Sequence, residues 1–191
     1  MSSRSGELLD QGLDFFTTIV TQLSEDDWER PTPCADWTGQ DLLGHLATSV
    51  RVGISIMQGR QPIWPDAARP GELVQGDPVE FWRGTVVQAR DVLRNADMAR
   101  EMETPLGRTV ADDLAIPVID LYVHAWDLGA AVGIDVEIPA DVIDFAHAYI
   151  DPLPDEVMRG EGRAFGPQAP VPAGATPTQR FLAWTGRRLP P

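Results

Sequence analysis

Only three imidazoles occur in the 191 residues, His45, His124 and His147, and one of them follows a carboxylate by one helical turn. In the run IDLYVHAWDLGAAVG, residues 119–133, Asp120, His124 and Asp127 recur at i, i+4 and i+7, which puts them on one side of a helix. Leu114, Val118, Leu121, Ala125, Leu128 and Val132 form the apolar stripe beside them. A carboxylate and an imidazole one turn apart, next to a core-facing stripe, are a ready pair of metal ligands. A catalytic zinc site takes three protein ligands and keeps a further position open. His45, from another helix, would complete a set of two nitrogens and one carboxylate, as metal sites between packed helices do. Asp127 is then placed to accept the outer N–H of a ligating histidine. Spacing alone fits a plainer arrangement at least as well: a buried histidine hydrogen-bonded to an aspartate, with Asp127 in a salt bridge to an arginine. His147 lies at i+4 from Ile143 and i−3 from Ile150, a packing position in a late helix. Cys34 has neither a CxxC partner nor a histidine near it in sequence, so it reads as a small packed loop residue. Trp28, Trp37, Trp82 and Trp126 read as core or helix-end residues.

These residues need helices to position them. Leu9, Leu13, Phe16, Val20 and Leu23 give helical spacing over 6–23. A proline-bearing loop of about ten residues follows, longer than most helix–helix connections, which implies a task for it. A second helix starts with Thr38 as N-cap and Asp41 at N3, with Trp37 and Leu42 at the positions of a hydrophobic staple. It runs to about Gly59 and carries His45, Leu46, Ser49 and Gly53 on one face. Residues 59–76 are rich in proline and glycine and read as an irregular crossover. Asp77 caps a third helix, with Pro78 at N1, running to about Asn95. A small hairpin is expected over 100–110, turning at Leu106-Gly107. The central helix spans about 110–132, with a kink or break at Ile116 caused by Pro117 and Gly133 as its stop. Pro139 opens a shorter helix to about Ile150. Residues 151–176 lack regular periodicity, and 176–186 form a short terminal helix. The expected fold is an all-α four-helix bundle with a crossover connection. The expected domains are residues 1–150 as a metal-binding bundle and 151–191 as a proline- and glycine-rich extension packing on it.

Composition narrows the partners. Acidic residues outnumber basic ones 29 to 15, a formal charge of −14. Phosphate backbones and anionic lipid need a basic patch, so neither nucleic acid nor a membrane surface is an expected partner. The single cysteine rules out an intrachain disulfide and fits a reducing cytoplasm. No leader is visible before the first amphipathic pattern, and no apolar run is expected to span a bilayer. A cytoplasmic protein, with a homodimer through exposed helix faces compatible with the pattern, is the expectation. No phosphate loop, dinucleotide fingerprint or Ser-His-Asp order is present.

The runs PTPCADWTGQDLLGHL (31–46), DLYVHAWDLGAAVG (120–133) and RAFGPQAPVPAGATPTQRFLAWTGR (163–187) together resemble a family. It is that of the actinobacterial metal-binding proteins related to the N-terminal domain of mycothiol-dependent maleylpyruvate isomerase, in the DinB/YfiT-like superfamily. The likeness rests on Trp-x-x-x-Asp-Leu-x-x-His, here Trp37 to His45, and on His-x-Trp-Asp-Leu, here His124 to Leu128. It implies a DinB-like four-helix bundle holding a divalent metal, zinc first and nickel or another transition metal as alternatives. His45, Asp120 and His124 take the ligand positions, with Asp120 one methylene shorter than the glutamate of other members. It further implies mycothiol as co-substrate and transferase or isomerase chemistry, with a small-molecule thiol and an electrophile as partners. Two other uses of such a site stay open: a hydrolase with metal-bound water as nucleophile, and a non-catalytic metal- or ligand-binding module.

Overall fold

The structure is a computed structural model and describes residues 3–34, 36–61, 65, 69–103, 108–160 and 164–189. Its helices are α1 (Arg4–Val20), α2 (Gly39–Met57), α3 (Pro78–Leu93), α4 (Val110–Asp113), α5 (Ala115–Val132), α6 (Ala140–Ile150), α7 (Asp155–Met158) and α8 (Pro177–Trp184). Short 3₁₀ turns occupy Glu25–Glu29 and Pro70–Leu73. No sheet forms among the described residues; there are only isolated bridges. The fold is all-α, with helices packed as in a DinB/YfiT-like bundle. Contacts divide the chain into two compact units, residues 1–136 and 137–191. The helix that opens after Pro139, grouped with the bundle in the sequence reading, pairs with α8 inside the second unit.

In the first unit the extensive helix pairs are α1–α5, α2–α5, α2–α3 and α1–α3. Each of these four helices therefore has two main neighbours, and the diagonals run between α1 and α2 and between α3 and α5. The 59–76 connection joins two neighbours, so the crossovers are the α1–α2 loop and the chain from α3 to α5. The core is aliphatic and aromatic: Leu9, Leu13 and Phe16 of α1, Leu42, Leu43 and Leu46 of α2, Trp82 of α3, and Val118, Leu121 and Leu128 of α5 are buried. Tyr122 donates to the Leu8 carbonyl at 3.1 Å and the Trp82 indole to the Thr17 hydroxyl at 2.8 Å, so the buried polar groups of these rings are satisfied.

Two ends of α2 are pinned. At its start the Thr38 hydroxyl accepts from the Asp41 N–H and the Asp41 carboxylate from the Thr38 N–H, the expected capping box with aspartate at N3. Asp41 also accepts from Arg69 Nη2 at 2.5 Å and from the Gly71 N–H at 3.1 Å. This draws residues 69–71 onto α2, so closely that a Cβ on Gly44 would lie 2.0 Å from the Pro70 carbonyl oxygen. At the far end the Arg100 guanidinium donates to the Ile56 and Met57 carbonyls.

The central helix differs from expectation in one respect. Its break lies at Leu114, a turn before Pro117 rather than at Ile116. Pro117 has no N–H for the Asp113 carbonyl and its ring crowds that carbonyl, so the disruption falls four residues upstream. Gly133 ends α5 at φ 79°, the left-handed stop expected of it. Taken together, Val110–Val132 is long and apolar enough to cross a bilayer, which corrects the reading that no such run exists; 67% of its apolar window is buried inside the protein, the position of a core helix. Of the expected hairpin over 100–110, the described residues show an antiparallel bridge between Glu101 and Thr109; its turn at Leu106-Gly107 lies outside the described residues.

The second unit has its own cluster. Phe181 and Leu182 of α8 are buried, and Val142, Ala146 and Ile150 line the buried face of α6. His147 packs its ring 4.4 Å from that of Trp184 and its Nδ1 lies 3.3 Å from Asp151.

Candidate metal centre

Ligand-type atoms of His45, Asp120 and His124 lie within 4.8 Å of one another. α2 contributes the first and α5 the other two, one turn apart. The imidazoles of His45 and His124 meet edge to face, centroids 5.0 Å apart. His124 is buried; His45 and Asp120 are half-buried, so the cluster opens towards solvent on their side. Four-coordinate zinc with these ligand types has donor–donor edges of roughly 3.3 Å. The atoms lie within 4.8 Å of one another, a looser spacing than that, so side-chain adjustment would accompany binding of an ion. Two imidazoles and a carboxylate from packed helices are a fitting donor set for zinc or a similar divalent ion.

Each ligand-type residue has a supporting contact. Nδ1 of His124 donates to Asp127 Oδ2 at 2.9 Å, since an ionised carboxylate can only accept. That contact fixes the ring and leaves Nε2 as the nitrogen available to a ligand. Asp127 is completely buried. Burial disfavours a charged His124, but its hydrogen bond to Asp127 and the neighbouring Cys34 outweigh this, and its pKa is pushed up to about 10. The Asp120 carboxylate accepts from the buried Ser49 hydroxyl through Oδ2 at 2.6 Å. Ser49 sits one turn after His45 on the same face of α2, so one face supplies both a ligand-type nitrogen and the group that orients the facing carboxylate.

The loop before α2 brings two residues to the cluster. Arg30 and Gly39 close it by a backbone hydrogen bond of 3.0 Å, Thr32 and Trp37 by another of 2.9 Å, and Asp36 takes a left-handed φ of 67°. The Thr32 hydroxyl accepts from the Cys34 N–H at 3.2 Å. This folding lays the Trp37 ring 4.7 Å from that of His45 and brings Cys34 to the buried pair. Cys34 Sγ lies 3.3 Å from Asp127 Oδ2 and 3.9 Å from His124 Nδ1. The sequence reading of Cys34 as a packed residue far from any histidine is therefore corrected: it is half-buried and touches the histidine 90 residues on. Ser49 was visible on the face of His45, but nothing in sequence marked its partner. His147 joins no such donor cluster among the described residues. A surface cleft of about 680 Å³ lies elsewhere, lined by Glu25, Asp26, Trp28, Glu29 and Asp77 among others. Its lining holds no imidazole.

Residues 9–129 match the family described as the mycothiol maleylpyruvate isomerase N-terminal domain. The chain belongs to that family. An uncharacterised protein of Mycobacterium tuberculosis, found in strains CDC 1551 and H37Rv, is 29% identical over 185 residues, covering 92% of this chain and 93% of the relative. The crystal structure of the mycothiol-dependent maleylpyruvate isomerase is similar with a TM-score of 0.60 at 18% identity, over 76% of this chain and 67% of that one. A histidine-to-alanine variant of the isomerase gives 0.61 at 14% identity over the same shares. At such identities the likeness is one of fold. The match ends at Gly129, within the first unit.

Proposed function

We propose that this chain is a cytoplasmic divalent-metal protein that activates a low-molecular-weight thiol of the mycothiol type for transfer to, or isomerisation of, a small electrophile. The observation that carries the reading is the convergence of His45, Asp120 and His124 within 4.8 Å, with Asp127 behind His124. Membership in a family named for a mycothiol-using isomerase supports the choice of co-substrate.

His45, Asp120 and His124 hold the ion. A divalent cation bound there supplies the positive charge that keeps a coordinated thiol deprotonated at neutral pH. Two neutral imidazoles and one carboxylate leave that centre a net charge near +1, which favours an anionic sulfur as the further ligand. Asp127 keeps the proton on Nδ1 of His124, so that the Nε2 lone pair faces the ion. Ser49 holds Oδ2 of Asp120, leaving Oδ1 as the ligating oxygen and offsetting the freedom of a short carboxylate. Trp37 covers His45 and shields that edge from water.

The test has two parts. Untagged protein should carry about one zinc or similar ion per chain, and His45→Ala and His124→Ala should lose it; full metal content in both variants overturns the site. Turnover of an electrophile, with maleylpyruvate as the first probe, should require added mycothiol. Turnover undiminished without any thiol would point to hydrolysis by the same residues.

A further inference from the structure

His124 presents donors to two sides, and only one is used by the site above. On its Nδ1 side, Cys34 Sγ, Asp127 Oδ2 and Nδ1 itself are separated by 3.3, 3.9 and 2.9 Å. Zinc-like tetrahedral bonds to sulfur, nitrogen and oxygen imply donor–donor edges of roughly 3.3–3.6 Å. The three atoms therefore already stand near ligand spacing, with hydrogen bonds where an ion would sit. His124 and Asp127 are buried, and Cys34 is half-buried, which gives a route in from solvent. The Cys34 loop is closed by its own backbone and Thr32 hydrogen bonds, so the sulfur is held rather than waving.

We propose that Cys34, Asp127 and Nδ1 of His124 form a second, alternative seat for a soft, thiophilic cation, sharing His124 with the proposed His45/Asp120/His124 site. The donor sets differ in kind. One has two imidazoles and a carboxylate; the other replaces an imidazole by sulfur, which selects softer ions. Protons balance as follows. On binding a divalent ion, Cys34 releases its S–H proton to solvent and Nδ1 gives up its proton. The neutral imidazole then carries its one proton on Nε2. Thiolate and carboxylate together neutralise the ion's two charges. The same imidazole cannot offer Nε2 to the first site in that tautomer, so the two seats exclude each other and each chain holds one ion at a time.

Cadmium is the probe, because a thiolate–cadmium bond gives an ultraviolet charge-transfer band that nitrogen and oxygen ligands do not. Metal-free full-length protein should develop the band at one Cd²⁺ per chain, with alkylation of Cys34 slowed at least tenfold. Cys34→Ser should abolish the band. Asp120→Asn, which disables the first seat, should keep it. Preloading with one equivalent of Zn²⁺ should reduce it at low cadmium. The inference is overturned if the wild-type protein binds Cd²⁺ without the band or without slowing alkylation, or if Asp120→Asn abolishes both signals. Because the alkylation test uses the wild-type chain, it stands even if a variant fails to fold. The inference shares only His124 with the functional proposal, and the two can fail separately: loss of zinc binding with the cadmium band intact defeats the first alone, and zinc bound without any cadmium band defeats the second alone.

Discussion

Each unit holds a histidine within a turn of an aspartate, within α5 in the first and across the end of α6 in the second, and the pairs behave differently. In the first, His124 and Asp127 are three residues apart, 2.9 Å between nitrogen and oxygen, with side chains 8% and 0% exposed. In the second, His147 and Asp151 are four apart, at 3.3 Å, with 36% and 58% exposed. The local pattern is nearly the same. What separates them is what other segments bring: α2 sets His45 beside His124 and Ser49 against Asp120, and the loop before α2 brings Cys34 and Trp37. His147 meets Trp184 and Phe181 instead, with no further donor cluster among the described residues. A histidine–aspartate pair becomes a candidate site through the neighbours that converge on it, and stays a packing contact without them.

That contrast can be broken most severely by removing the imidazoles. His124→Ala should abolish metal binding by the purified protein, whereas His147→Ala should leave metal content unchanged; elemental analysis of both decides it. Next in size is the buried carboxylate. Asp127→Ala strips the partner from a buried imidazolium in the metal-free protein and should cost about 3–5 kcal/mol in urea unfolding. Asp151→Ala, on an exposed pair, should stay within about 0.5 kcal/mol.

Smaller effects sharpen the comparison. Ser49→Ala releases Oδ2 of Asp120 and should weaken zinc affinity about 10–100-fold, measured by chelator competition, with little change in fold. The pH dependence follows from His124. Its folded pKa, about 10, lies above the ordinary value of 6.5. Its stabilisation of the metal-free protein is therefore fully present below about pH 6.5 and is lost as pH rises through about 10. At pH 7 the ring is protonated, so binding an ion through Nε2 must expel a proton. Calorimetry in buffers of different ionisation enthalpy should register about one proton from His124 per ion bound.

Much of this architecture could be read from residue order. The Thr38–Asp41 box, Pro78 behind Asp77 and Gly133 are local signals, because each depends on groups within four residues. Asp120 and His124 share a helix side for the same local reason. Their meeting with His45 depends on how α2 and α5 pack, which spacing within one helix cannot specify; the scarcity of imidazoles suggested it and the family likeness strengthened it. Cys34 was missed because its approach to Asp127 depends on a closed loop with Asp36 in a left-handed conformation, a geometry that aspartate adopts but does not announce. Ser49 was missed because a serine on a buried face usually bonds its own helix, and here it reaches across to α5. Pro117 announced a break correctly in kind. The position shifted because proline disturbs the carbonyl four residues before it, not its immediate neighbour.

The most direct measurement is elemental analysis of untagged protein expressed in metal-sufficient medium, alongside the His45→Ala and His124→Ala variants. About one zinc or similar transition-metal ion per chain in the wild type, none in His124→Ala, which removes both seats, and a large loss in His45→Ala is the predicted result. A wild-type chain without metal, or variants that retain the full complement, would contradict the assignment of His45, Asp120 and His124 as the metal centre.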